Sequence, residues 1–318
     1  LPALEEELRA TWPFTPEAIT VVDGALDALD RVASVALRLG DRVIVEHPGF
    51  PPMLDLLERL ACDVVGVDVD DEGLLVDQLR AVVAGGQPAA VILQPRAQNP
   101  AGVAMSPRRA KAIADVLRPT AALVVEDDHA NEISSATLTS VGTWLPERTV
   151  HIRSFSKSHG PDLRLGAVGG AGSVVTAVEN RRLLGPGWSS RILQFVLLEL
   201  IRDPQTDATL QRARVAYADR RAAISRVLAD HGVDVTGTDG INVWMGVDDE
   251  RAAVVALAAQ GIGVAPGAPF LVHADTDHLR VTISALAPQR NLDRVAEQLA
   301  TAASLARARR HRQPVAHR

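Results

Sequence analysis

The sequence predicts an α/β protein, a mostly parallel sheet with helices on both faces, followed by a smaller C-terminal α+β unit. Three observations predict it. From about residue 17 to residue 170, short β-branched runs alternate with amphipathic stretches, the pattern of parallel strands joined by covering helices. After residue 170 this alternation gives way to two helical stretches. Beyond them a strand, a helix, a second strand and a last helix form a unit of about 100 residues, a normal size for a small domain.

Taken in order, strands are expected at Ile19 to Val22, Arg42 to Glu46, Val64 to Val69, Ala90 to Gln94, Ala122 to Glu126, Thr149 to Arg153 and Leu165 to Gly169. Leu26, Leu29, Val32 and Ala36 recur at helical spacing, and Gly40 reads as the glycine just past that helix. Pro107 to Leu117 reads as a second helix, with Ser106 as N-cap and Pro107 at the first helical position. Residues 189 to 203 and 208 to 230 read as two more; the latter, long and rich in Arg and Ala, suits a link between domains. A strand at Ile241 to Gly246, a helix at Asp249 to Gln260, a strand around Leu279 to Ile283 and a helix from about Leu292 to Arg309 complete the chain. The expected division is therefore residues 1–205 as a large domain and 206–318 as a small one that includes the long linking helix. The tail from Arg307 to Arg318 carries five arginines and reads as a solvated, frayed end more readily than as a nucleic-acid contact.

Composition excludes several classes. The 318 residues hold 33 Lys plus Arg against 39 Asp plus Glu, a net charge of −6, which argues against a dominant nucleic-acid-binding role for this chain. The hydrophobic fraction of 47% reads as globular. Cys62 is the single cysteine, so no disulfide forms within the chain, and a reducing cytoplasm is the simplest location. The longest apolar runs, such as Phe195 to Ile201, fall far short of the ~20 residues of a membrane span. Leu1 is neither an initiator Met nor the start of a basic signal peptide, so the chain reads as a piece whose natural start lies upstream.

The segment Ser154-Phe-Ser-Lys157-Ser-His-Gly-Pro-Asp-Leu-Arg164 follows a buried strand directly. A lysine at such a strand end sits inside the molecule, where desolvation and neighbouring cations lower its pKa and make it a Schiff-base nucleophile. The plain alternative is a surface lysine in a loop. Against it stand Ser154, Ser156 and Arg164, three groups suited to phosphate. Val22-Asp-Gly24-Ala25-Leu joins a strand to a helix, whose free N-terminal amides attract an anion; Asp23 as an ordinary N-cap is equally compatible. Phe50, in Glu46-His-Pro-Gly-Phe50-Pro, is one of only five Phe and lies in a loop. Asn99-Pro-Ala-Gly102 and Asp127-Asp-His129 both fall at strand carboxyl ends, where open α/β sheets bind ligands. Asp127, His129 and Glu132 could suggest a metal site, but no second histidine completes a known spacing, and no metal is expected. Gly170-Ala-Gly172 begins like a dinucleotide fingerprint, yet Val175 stands where its third glycine belongs.

With these motifs in this order, the chain resembles the class I/II aminotransferases of fold type I, which depend on pyridoxal 5'-phosphate. It most resembles the aminotransferase-like domain of MocR/GntR-type regulators. The resemblance implies that Lys157 carries the cofactor as a Schiff base and that Asp127 pairs with its pyridinium nitrogen. It also implies that Phe50 stacks on the ring and that Asn99 donates to the phenolic oxygen. Ser154, Ser156, Arg164 and the Gly24 and Ala25 amides would hold the phosphate. His129 stands where the family has a Tyr that donates to the phenolic oxygen; an imidazole N–H donates the same bond but titrates near neutrality. Asp23 stands where the family usually has Ser or Thr, so either its carboxylate turns away to cap the helix or phosphate binding is weaker here. Arg280, on a strand of the small domain, corresponds to the arginine that grips the substrate carboxylate, and Asn99 is implied as a second substrate-binding residue. The loop Gly185 to Arg191 corresponds to one that nears a partner subunit's cofactor, so a homodimer is implied. Two functions share these residues: an aminotransferase acting on an amino acid and a 2-oxo acid, and a cofactor or amino-acid sensor coupled to a winged-helix DNA-binding domain upstream of Leu1.

Overall fold

The computed structural model describes residues 1–286 and 292–305. The expected helical residues 306–309 and the arginine tail lie outside them. The first part of the chain runs α1 (Pro2–Ala10), β1 (Ala18–Val22), α2 (Ala25–Ala36), β2 (Arg42–His47), α3 (Pro51–Arg59), β3 (Asp63–Asp70), β4 (Gly73–Leu74) and α4 (Val76–Ala84). It continues through β5 (Ala90–Leu93), α5 (Pro107–Leu117), β6 (Leu123–Asp128), β7 (Thr149–Ser154), β8 (Gly166–Gly170), α6 (Gly172–Arg182) and α7 (Arg191–Arg202). The remainder is α8 (Pro204–Asp230), β9 (Val235–Thr236), β10 (Asn242–Gly246), α9 (Glu250–Ala258), β11 (Ala265–Pro266), β12 (His278–Thr282) and α10 (Leu292–Ala303).

The large sheet has the order β1-β8-β7-β6-β5-β2-β3-β4. Strands β3, β2, β5, β6 and β7 are parallel neighbours, while β8 pairs antiparallel with both β7 and β1. The central strands β2, β5 and β6 carry apolar runs because both of their faces are covered, whereas β3, nearer the sheet edge, is mostly half-buried. On one face α2, α3 and α6 bury Leu29, Val32, Leu57 and Val175; on the other α4 and α5 bury Leu79, Ile113 and Leu117. Leu4 and Leu8, one helical turn apart on α1, pack with Leu197 and Leu198 of α7. The second sheet, β11-β12-β10-β9, is antiparallel, and its core joins Ile224 and Leu228 of α8 to Leu299 of α10.

Several expected boundaries shift. Helix α2 ends at Ala36 on an extended Leu37, so Gly40 (φ +80) serves the turn into β2 instead of closing the helix. Ser106 does cap α5, its hydroxyl accepting from Arg109 N at 3.1 Å. Asp203 caps α8, which begins at Pro204, four residues earlier than the apolar pattern indicates. Helices α1, α3, α4 and α6 have no counterpart in the elements expected from sequence. In α6 the Gly170-Ala-Gly172 run masks the helix start; the φ of +140 at Gly170 is open to glycine because a Cβ there would lie 2.0 Å from Thr149 O.

Candidate functional site

The singled-out residues of the large sheet lie at the carboxyl ends of β6 and β7, in the loops that follow β2, β5, β6 and β7, or at the β1–α2 junction and just before β8, as ligand sites of open α/β sheets do. Asp127 is the penultimate residue of β6, with 2% exposure. Its Oδ2 accepts from Gln94 Nε2 at 2.8 Å, while Oδ1 is buried without a hydrogen-bond partner. Burial pushes its pKa up to about 6, against the opposing pull of the Gln94 bond and the Lys157 charge. Gln94 is the hinge of this corner: its Oε1 also accepts from Asn99 N at 2.8 Å, and its own N–H donates to Glu46 Oε2 at 2.9 Å.

Glu46 is fully enclosed on β2, and burial lifts its carboxyl to about 8. The folded group therefore keeps its proton between the ordinary 4.5 and about 8, where the unfolded group has lost it. Unfolding releases a proton across that window, so stability falls as pH rises through it. Glu46→Gln, which retains an acceptor for Gln94 N–H, is expected to flatten this dependence. The drop in melting temperature from pH 6 to pH 8.5 should be smaller in the variant than in the wild type; an equal drop would remove Glu46 from the account.

Asp128, next along β6, faces the other side. Burial would raise its pKa, but His151 and the Arg96 guanidinium, whose Nη2 lies 2.6 Å from Oδ2, hold it well below the usual carboxylate range. His151 also lies 2.9 Å from Glu126 Oε2, and Ser140 Oγ donates to that same oxygen at 2.6 Å. These buried charges pair with one another, although His151 Nε2 stays 3.8 Å from Asp128 Oδ2 without a hydrogen bond, and together they form a support beneath the site.

Lys157 projects from the loop after β7, and its Nζ lies 3.0 Å from His129 Nδ1 and 3.4 Å from His129 O. Desolvation lowers its pKa, with Arg280 adding to the effect and Asp127 and Asp128 opposing it. The residue as a whole is exposed to the cleft, so solvent screening tempers that lowering. His129 Nε2 lies 2.9 Å from Ala97 O. A carbonyl only accepts, so Nε2 carries the proton and Nδ1 is an acceptor. Burial and the Lys157 charge depress the imidazole to about 3. The expectations of a free donor and of a titration near neutrality are thus both corrected, because the ring N–H is already committed and the imidazole itself is buried.

At the β1–α2 junction the N-cap is Gly24, with φ +108 and no side-chain cap, and not Asp23. The Asp23 carboxylate turns toward Arg182, 3.8 Å away, and its backbone N–H donates to Asp27 Oδ2 at 3.0 Å. This leaves the first amides of α2 open. A Cβ added to Gly24 would come within 3.4 Å of Arg164 Nη2, so the guanidinium lies over the helix N-terminus. Ser154 is buried at the end of β7, where its Oγ accepts from Ser156 N at 3.4 Å. Phe50 is half-buried at the start of α3 and packs on the core beneath α2 and α3. Among the described residues it makes no ring contact with the other candidates.

The smaller unit reaches in from the opposite side. Arg280 Nη1 donates to Asn99 Oδ1 at 3.4 Å, the Asn99 amide hydrogens have no hydrogen-bond acceptor among the described residues, and the Arg280 guanidinium stands 5.2 Å from the Phe270 ring. The Asn99 to Gly102 turn is tied to the 236–240 hairpin: Gly102 O accepts from Thr238 N at 3.0 Å and Asp239 N at 2.9 Å, and Thr236 Oγ1 donates to Ala101 O at 3.2 Å. A hollow of about 570 Å³ lined by His47, Asp68, Trp244 and His273 holds none of Asn99, Asp127, His129, Lys157 or Arg280. Converging titratable side chains, not hollow size, locate the site.

The model of the family described as aminotransferase class I and II matches residues 1–299. The chain belongs to the class I and II aminotransferases. It is 35% identical over 282 residues to the vitamin B6 salvage pathway transcriptional repressor PtsJ of Salmonella typhimurium, covering 88% of this chain and 65% of that protein. It is 30% identical over 264 residues to the transcriptional regulator TauR of Rhodobacter capsulatus, 80% of this chain and 54% of the relative. The chain thus spans between about half and two thirds of the length of these regulators. Among solved structures, a multiple substrate aminotransferase from Thermococcus profundus superimposes with a TM-score of 0.88 at 22% identity, over 97% of this chain and 82% of that one. The fold is therefore that of fold type I aminotransferases, as the resemblance implies.

The family's cofactor is pyridoxal 5'-phosphate, and the residues present fit it. Asp127 Oδ1 is a buried acceptor without a partner, suited to a protonated ring nitrogen. The glycine cradle at Gly24 beneath Arg164 suits a phosphate. Gln94, Glu46, Arg96 and Asp128 are the groups that motif reading passes over. Only their pairing across adjacent strand ends, 32 to 48 residues apart in sequence, reveals them.

Proposed function

We propose that the chain is a pyridoxal-phosphate-dependent aminotransferase-like protein that moves an amino group between an amino acid and a 2-oxo acid. The observation that carries this reading is the convergence of Lys157 Nζ, the unpartnered Asp127 Oδ1 and Arg280 on one cleft. The cofactor, once bound, would withdraw electrons from the amino acid's α-carbon. Asp127 would hold a positive ring nitrogen, Asn99 would donate from its free amide, and Phe50 would flank the ring. Ser154, Ser156, Arg164 and the Gly24 and Ala25 amides would hold the phosphate. Lys157 Nζ would attach the cofactor and then move the α-proton as a general base. Arg280 would orient the substrate carboxylate through its planar fork.

In this reading residues 1–205 form the cofactor-binding domain and 206–318 the small domain. A homodimer is proposed as well. Leu183, Leu184, Trp188, Ile192 and Phe195 leave α6, α7 and the loop between them between 55% and 91% exposed, an apolar patch that a second copy would cover. No helix among the described residues is long and apolar enough to cross a membrane.

Arg280→Ala is expected to raise the amino-acid concentration needed for half-saturation by roughly tenfold or more, since a charge-assisted pair is lost. Cofactor content should stay intact, measured as visible absorbance per chain. Loss of both together would make Arg280 structural. A second reading, a cofactor and amino-acid sensor within a transcriptional regulator, is favoured by the similarity to PtsJ and TauR. The two are separated by adding candidate amino acids with 2-oxo acids and following product. Continuous turnover supports the enzyme, whereas a saturating spectral change without turnover supports the sensor.

A further inference from the structure

The family's phenol position is held here by an imidazole whose two nitrogens are both engaged. Nε2 donates to Ala97 O at 2.9 Å, and Nδ1 faces Lys157 Nζ at 3.0 Å. Ala97 cannot easily withdraw its carbonyl. Its φ is +48, it is 4% exposed, and the preceding Arg96 is clamped to Asp128 by a buried ion pair at 2.6 Å. On the far side Gly240 packs so closely that a Cβ there would lie 2.5 Å from Ala97 Cβ. The imidazole is therefore held in one tautomer, and the nitrogen offered to the cleft is bare.

We propose that His129 is a positioning residue for Lys157, a fixed hydrogen-bond acceptor that holds the lysine nitrogen, and not a donor to a ring oxygen. The catalytic meaning of this rests on the reading of Lys157 given above, but the pair itself exists without cofactor. An ammonium at Nζ donates one hydrogen to Nδ1. After losing a proton, the amine still donates one hydrogen there, so its lone pair points away from the imidazole. His129 thus aims the nucleophile as well as steadying it. A phenol in its place would offer both a donor and an acceptor; the pinned imidazole offers only the acceptor. The groups that face the pair are Asp127 and Asp128 from β6, Arg280 from β12, and Arg96 from the loop after β5.

The chain has only two lysines, Lys111 and Lys157, which makes the test direct. Lys111 is exposed on α5 and pairs with Asp115 at 2.7 Å, away from the site. In the full chain carrying Lys111→Arg, labelled lysine leaves one side-chain signal to titrate by NMR. Removing the acceptor with His129→Phe should lower the Lys157 midpoint by about one pH unit, a tenfold change in proton affinity. His129→Asn, whose Oδ1 stands near the former Nδ1, should recover at least half of that shift. In the wild type, imidazole nitrogen shifts at pH 7 should show Nε2 protonated and Nδ1 bare.

An unchanged midpoint in the Phe variant, an Asn variant no closer to wild type than Phe, or a proton on Nδ1 would overturn the proposal. If His129→Phe does not fold, the wild-type tautomer decides alone. Failure of the wild type to take up pyridoxal phosphate would count against the proposed function and leave these titrations standing, so the two failures are distinguishable.

Discussion

Lys157→Ala should abolish covalent retention of the cofactor. Wild-type protein treated with pyridoxal phosphate and borohydride is expected to keep its absorbance through denaturation and gel filtration, and the variant to lose all of it. Lys111, exposed and distant on α5, supplies the internal control, because Lys111→Arg should retain the label in full. Turnover should fall as well. Loss of the general base alone costs on the order of 10²–10⁴ in rate, before any loss of attachment is counted. Label that persists in Lys157→Ala at the wild-type level would remove Lys157 from the site. The expectation rests on position: a lowered ammonium pKa, a neighbouring acceptor and a strand-end loop that opens to the cleft.

Asp127→Asn should separate binding from chemistry. The substitution keeps the shape and leaves an oxygen to accept from Gln94, but it removes the negative charge opposite a ring nitrogen. Breaking one side of a buried charge pair costs on the order of 3 kcal/mol, so the reaction with amino acid should slow by a hundredfold or more while the phosphate contacts keep the cofactor bound. A pH effect accompanies it. The carboxyl takes up its proton near 6 in the cofactor-free protein, so cofactor affinity should weaken as pH falls from 7 to 5 in the wild type. In Asp127→Asn it should weaken less. An Asn variant with wild-type rates would show that Oδ1 has no electrostatic role.

Much of this was legible in the sequence because the chemistry sits where the periodicity changes. Strands β2, β5 and β6 are buried along most of their length and carry short apolar runs, and Asp127 stands just past the last of these while Lys157 follows the end of β7 by three residues. The helices that escaped notice have local reasons. In α6 two glycines precede and open the helix, and α3 begins with two prolines in a segment that reads as a loop. The groups that adjust the site escaped for a different reason. Gln94 means nothing in sequence until β5 lies between β2 and β6, and only then does its side-chain amide join Asp127 and Asn99 while its backbone N–H meets Glu46. His129 was visible as a departure from the family. Its tautomer was not, because that is set by a backbone carbonyl 32 residues away.

The hairpin at 236–240 holds more than a turn. Asp239 accepts from Ser134 Oγ at 2.5 Å and Ser135 N at 2.9 Å, so the same short segment grips the loop after His129 and the turn that carries Asn99. Arg221 Nη1, from α8, donates to Gly237 O at 3.3 Å and braces it from behind. The wall of the cleft that carries Asn99 and the loop after His129 is therefore shared between the two halves of the chain. Local opening of the C-terminal half would release Asn99 and the His129 loop together, so loss of the ligand site and loss of that half form one cooperative event.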